Sequence, residues 1–209
     1  MPKLLDDTVA KNRRKIERAA QELFTRQGFH GTTVREIAQK ARISMGKLYL
    51  YYPNKEDIFI GLVHHMEQRM EALRQKELLP LMQSPDPESL KELGMAVGRF
   101  VSENLDYWRL MYVDVVEFRH KHFINSYREV AGGLRNYSTA LFQKKPIPFP
   151  EDVNPGFAYV NLYLQFVTYF LVEELFGARR HLGVSDEEAI EQLVRLYTRG
   201  GKNRVSKQQ

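Results

Sequence analysis

The chain has 209 residues, 43% hydrophobic and 27% charged, enough length and balance for one or two folded domains and against intrinsic disorder. It has no cysteine, which excludes disulfides, thiolate metal sites and a cysteine nucleophile and accords with an expected cytoplasmic location. The formal charge of +5 is uneven: residues 1–60 hold 12 Lys/Arg against 7 Asp/Glu, residues 61–198 hold 15 against 19, and residues 199–209 hold 4 against none. A basic head on a mildly acidic body is the footprint of a module that meets a polyanion.

Met1 to Val9 carries two acids and no apolar run, so no secretory signal is expected there. Val9, Ile16, Ala19, Ala20, Leu23 and Phe24 recur at helical spacing and predict an amphipathic helix over 9–27, stopped by Gly28. After the Gly31-Thr32-Thr33 turn, Val34, Ile37, Ala38 and Ala41 form the inner face of a short helix. Thr33 and Glu36 match the capping-box spacing. Arg42-Ile43 is a tight turn, Ser44 caps a second short helix with Leu48 and Tyr52 inward, and Pro53 ends it. Asn54 caps a helix expected over 55–79, stopped at Pro80. Ser84-Pro85-Asp86-Pro87 is a break and a fresh helix start; helices then follow to Lys145, with weak points at Tyr107-Trp108 and Gly132-Gly133. Pro146, Pro148, Pro150 and Pro155 mark a proline-rich loop. Phe157–Gly177 reads as one apolar helix, its most apolar part interrupted by Asn161, Gln165 and Thr168 and too short and polar for a membrane span. Ser185 caps a last helix with acids in its first turn, ended by Gly200-Gly201; the basic tail 201–209 is expected to be disordered. No stretch alternates with period two, so the fold class is all-α.

Residues 32–52 have the outline of a helix-turn-helix, in which the second helix enters the DNA major groove. Ala38 permits a close helix crossing, and Leu48 and Tyr52 give the inner stripe. Ser44, Met45, Gly46 and Lys47 give an outer face of short or hydrogen-bonding groups, with Gly46 allowing close approach and Lys47 able to reach guanine acceptors or a phosphate. An ordinary helical hairpin would show the same outline, with the tyrosines merely packing and Lys47 merely solvated.

Thr32-Thr33-Val34-Arg35-Glu36-Ile37-Ala38, then Ser44-Met45-Gly46-Lys47-Leu48-Tyr49, then Tyr51-Tyr52-Pro53-Asn54-Lys55-Glu56-Asp57 closely resembles the N-terminal domain of the TetR family of bacterial repressors, over roughly residues 10–62. The resemblance implies a three-helix DNA-binding domain at 1–60 and a larger helical effector-binding and dimerisation domain at 61–200. It implies that Thr33 caps its helix and presents its hydroxyl and N–H to a phosphate, and that Arg35 lies near the groove. It places Met45, Gly46 and Lys47 at base edges, behind Ser44 at the cap. Tyr49 and Tyr51 are expected on phosphates or the groove wall, and Lys55 on the backbone, helped by the helix N-terminus. Arg42 departs from the family's usual glycine in the turn.

A palindromic operator calls for a homodimer, and the family places its interface in the last two helices. Aromatic residues crowd the middle of the chain, and Asn161, Gln165 and Thr168 form a polar stripe. A pocket for a hydrophobic or aromatic effector is therefore expected from Trp108, Tyr112, Phe118, Tyr137, Phe142, Asn161, Gln165 and Thr168, against the plainer possibility of an aromatic core. The sequence thus predicts a ligand-responsive regulator, a repressor by family habit, with no catalytic residues, no cofactor and no membrane partner. Two alternatives remain: a helix-turn-helix that contacts another protein, and a metal-dependent helical-bundle enzyme using Asp114, Glu117 and His120. The second lacks the repeated Glu-x-x-His that such a bundle requires.

Overall fold

The structure is a computed structural model that describes residues 2–142, 149, 153–177 and 180–199. Most of the proline-rich loop and the basic tail 201–209 lie outside the described residues. The helices are α1 (Pro2–Gln27), α2 (Val34–Ala41), α3 (Met45–Tyr49), α4 (Lys55–Leu73), α5 (Pro87–Ser102), α6 (Leu105–Phe118), α7 (Ile124–Phe142), α8 (Pro155–Leu175) and α9 (Asp186–Arg199). No strand occurs among the described residues, so the fold is all-α as the periodicity predicts. No helix of the described residues is long and apolar enough to cross a membrane.

Local chemistry sets most boundaries. Gly28, at φ 77°, ends α1 in the left-handed region that glycine adopts without strain. The Thr33 hydroxyl caps α2 and Ser44 caps α3, each accepting an N–H from three residues on. Asp86 caps α5 and Asn154 caps α8, both with proline in the first turn. The helix expected over 55–79 is α-helical only to Leu73; Arg74–Leu78 then widens into a π turn, where Leu79 N–H reaches the Arg74 carbonyl. The expected weak points are continuous helix: α6 runs through Tyr107-Trp108 and α7 through Gly132-Gly133. Breaks fall instead at Glu103–Asn104 and Arg119–Phe123.

The chain divides into two compact units, Met1–Met70 with Asp106–Ser126 and Glu71–Leu105 with Tyr127–Gln209. The first is a packed core of Ile16, Phe24, Ile37, Leu48, Ile58, Phe59 and Leu110. Residues 106–126, which the sequence places in the second domain, thus belong with the N-terminal helices. The second unit packs α5 against α8 and α9. Gly94 and Gly98 make that approach possible: a Cβ on Gly94 would stand 2.8 Å from Ile190 Cγ2, and one on Gly98 2.6 Å from the Phe170 ring.

Two helix exits share one construction. The buried Asp114 carboxylate, near the end of α6, accepts the N–H groups of His122 and Phe123, and His122 Nδ1 lies 2.6 Å from Oδ1. The buried Glu173 carboxylate, in the last turn of α8, accepts the N–H groups of Arg180 and His181, and His181 Nδ1 lies 2.5 Å away. Burial alone would raise the Glu173 pKa; these donors outweigh it and hold the carboxyl below its usual range.

Candidate nucleic-acid interface

The first unit builds its surface around α3, a helix of only five residues whose single buried member, Leu48, anchors it in the core. Ser44 Oγ accepts the Lys47 N–H at 3.2 Å, closing the first turn. Gly46 is exposed, with no atom within 4 Å of where a Cβ would stand, so the backbone there is open to an approaching surface. Lys47 is exposed, Met45 is half-buried against the core, and Tyr49 remains 48% accessible. Leu50, next in the chain, is 84% exposed, a large apolar group left in water beside α3. Arg35, on α2, is exposed as well.

Three expected contact residues are already engaged. Thr33 completes the capping box, and its hydroxyl and N–H both donate to Glu36 Oε2 at 2.7 Å. The donors expected to face a phosphate therefore serve the helix itself. That bonding, led by the Thr33 hydroxyl, lowers the Glu36 pKa. Lys55 turns inward: its ammonium donates to the Phe29 and Thr32 carbonyls at 2.6 Å each and sits 4.2 Å from the Phe29 ring centroid. Desolvation there lowers its pKa. One ammonium hydrogen remains for another acceptor. The Tyr51 hydroxyl accepts from Asn12 Nδ2 at 2.8 Å, fixing the segment after α3 to the middle of α1. Tyr52 is buried, donates to Glu17 Oε1 at 2.5 Å, and has its pKa raised by burial and by that carboxylate. The turn residue Arg42 sits at φ 56°, ψ 48°, the left-handed conformation the sequence departure brings into question.

The sequence gives no sign of the part played by Glu117. Its carboxylate accepts the N–H groups of Phe29 and His30 at 2.9 and 2.6 Å, and Phe118 stacks edgewise on Phe29 at 4.5 Å. Gly28 must be small here, since a Cβ would stand 2.5 Å from Glu117 Oε1. The partners are 88 residues apart, so no local pattern links them. Asp114 and Glu117 thus spend their oxygens on backbone donors while His120 is exposed on a left-handed turn. Among the described residues no group of three or more metal-binding side chains is placed to hold an ion.

The expected pocket residues fall in both units. Trp108, Tyr112 and Phe118 belong to the first, where Phe118 is packed among Phe29, Phe59 and His122. Tyr137, Phe142, Asn161, Gln165 and Thr168 belong to the second. Phe142 packs on Phe149 and Tyr159, whose hydroxyl donates to the Met82 carbonyl. Asn161 accepts from Tyr197 of α9, while Gln165 and Thr168 lie exposed on the same side of α8 as Phe157 and Leu164.

Residues 16–62 match the family model of bacterial regulatory proteins, tetR family. Over 114 residues the chain is 26% identical to the HTH-type transcriptional repressor Rv1474c of Mycobacterium tuberculosis, covering 52% of this chain and 61% of that one. It is 26% identical over 124 residues to the HTH-type transcriptional regulator QacR of Staphylococcus aureus, covering 58% and 62%. The matched stretches therefore span less than two thirds of these relatives. A putative TetR-family transcriptional regulator from Mesorhizobium loti superposes with a TM-score of 0.67 at 18% identity, covering 90% of this chain and 95% of that one. A putative transcriptional regulator from Streptomyces coelicolor superposes at 0.62 and 22%, covering 88% and 97%. These structural similarities show the fold.

Proposed function

We propose that the chain is a DNA-binding transcription regulator of the TetR family through its helix-turn-helix, a homodimeric repressor released from a palindromic operator by a small hydrophobic or aromatic effector. The observation that carries this is α3: a capped, core-anchored helix presenting open Gly46, exposed Lys47 and half-exposed Tyr49 to solvent. That face suits insertion between phosphate walls, with Met45, Gly46 and Lys47 at base edges and Arg35, Ser44, Tyr49 and Tyr51 along the rim. Thr33 and Lys55 hold the frame, with the free hydrogen of Lys55 directed to a backbone phosphate. Such a protein works in the cytoplasm and needs neither a catalytic site nor a resident cofactor.

Dimerisation through α8 and α9 is supported by the apolar groups they leave in water, Phe157 at 67%, Leu164 at 40% and Leu196 at 71% exposure. Gln165 and Thr168, on that side of α8, join the dimer face, while the half-buried Tyr137 and Phe142 are the expected aromatic groups of the second unit left for an effector. An effector releases DNA only if it binds the non-binding conformation more tightly.

The deciding experiment is selection of duplexes from a random library followed by fluorescence anisotropy. An enriched palindrome, affinity falling steeply with salt, and loss of base preference in Lys47→Ala are the expected results. No enrichment, or an unaltered preference in Lys47→Ala, would overturn the docking face and favour a protein partner instead. A thermal-shift screen of hydrophobic compounds then seeks the effector, a binder at 100 times its Kd stabilising by about 2.7 kcal/mol.

A further inference from the structure

Leu50 is the most exposed large apolar side chain among the described residues, at 84% ahead of Val116 at 76%. Its backbone is still helical where it closes α3, at φ −69° and ψ −23°. At about 3.6 residues per turn it stands nearly opposite Leu48, the side chain that anchors the helix in the core. The short helix therefore aims Leu50 away from the core. Gly46, one turn earlier on that side, has no atom within 4 Å of where a Cβ would stand, so no neighbouring side chain shields the approach. Lys47 and Tyr49, both exposed, flank the pair. A leucine held in water contributes nothing to the hydrophobic stabilisation of its own fold, and its apolar surface gains free energy only against a surface that comes to it.

The side chain itself says what that surface is. Leucine has no donor or acceptor, so Leu50 can take neither a phosphate nor the polar edge of a base. Among the base edges that line a major groove, the apolar group is the C5 methyl of thymine. The charge around it favours a duplex: residues 1–60 hold 12 Lys/Arg against 7 Asp/Glu, and Lys47 stands one turn before Leu50. We propose that Leu50 is a specificity-determining residue that packs on a thymine C5 methyl in each half-site. This rests on the DNA-binding function proposed above and adds an apolar base contact to the polar ones of α3. It separates thymine from cytosine at that position. Cytosine would set its N4 amino donor against the leucine, where the donor loses water and gains no partner.

The test pairs a protein substitution with a DNA substitution, in the full-length chain. Wild type selects its duplex from a random library of unmodified nucleotides, in which thymine alone carries that methyl. Each thymine of the enriched palindrome is then replaced in turn, in both half-sites, by deoxyuridine, which keeps every hydrogen-bonding edge and deletes the methyl. Affinities are read by fluorescence anisotropy for wild type, Leu50→Ala and Leu50→Met. At one thymine, wild type should lose about 4-fold for each methyl removed, the worth of one buried carbon group. Leu50→Ala should bind the parent duplex more weakly and lose nothing further at that thymine, while its losses at the other thymines match those of wild type. Leu50→Met, apolar and of similar volume, should keep the sensitivity. Leu50→Ala should melt with wild type, since the side chain it shortens lies in water. An enriched sequence without thymine, or deoxyuridine losses that are equal in wild type and Leu50→Ala at every position, overturns the assignment. If wild type enriches nothing, it is the DNA-binding function itself that fails, and the two failures are thereby distinct.

Discussion

Arg42 holds a conformation that its Cβ disfavours, at φ 56°, because α2 must turn sharply into the residue before Ser44. A glycine there removes the strain, so Arg42→Gly should raise unfolding free energy by about 1 kcal/mol, read as a higher melting temperature. Tyr52 makes the opposite point. Its hydroxyl is the buried donor to Glu17, so Tyr52→Phe should cost about 1–3 kcal/mol in denaturant unfolding, with His65 still beside the carboxylate. The strained turn was legible in the sequence because Arg42 stands where the resembling family has glycine. The roles of Thr33 and Lys55 were legible only in part. Their residue types suit a phosphate, but capping-box closure and the Phe29 and Thr32 carbonyls claim most of their donors first.

Helix caps were read correctly at Thr33, Ser44, Asn54 and Ser185 because each acts within three residues of itself, whereas the caps Asp86 and Asn154 were not singled out in the sequence. The capping box of α2 carries a pH signature. Bonding to Thr33 depresses the Glu36 pKa in the folded protein, so its stabilisation is complete above the ordinary carboxylate range and is lost as pH falls through the lowered value. Glu36→Gln keeps the cap geometry and should flatten that part of the acid unfolding profile, followed by circular dichroism at graded pH. Glycine positions were misjudged where packing decides. Gly132-Gly133 looks like a break, but the cost of about 1 kcal/mol for each glycine does not interrupt α7. Gly98, by contrast, is required by Phe170. Replacing either glycine of these two sites by alanine should therefore give opposite signs. Gly132→Ala, with nothing within 4 Å, should gain up to about 1 kcal/mol, whereas Gly98→Ala should lose about 1–2, overpacking exceeding the helix gain.

For the whole molecule, the apolar periodicity gave the helical class and the basic head pointed to the DNA-binding end. It could not reveal that residues 106–126 pack with the first unit, because Glu117 and Phe118 meet Phe29 through contacts that no spacing encodes. If α8 and α9 pair two copies, Leu164→Glu/Leu196→Glu should halve the mass seen by light scattering at micromolar concentration. Operator affinity should fall with it, since a single half-site is then read; an unchanged mass would place the interface elsewhere.

Asp114 with His122 and Glu173 with His181 each join an acid to a histidine eight positions on, with two backbone donors gathered between the same carboxylate oxygens. Such a corner works as a fixed-length stitch. One residue more or fewer would carry the imidazole and the amides out of register together, leaving a buried anion stranded. In sister proteins whose corners differ in length, the acid and the histidine should therefore have disappeared as a pair, and restoring only one of them should harm rather than help.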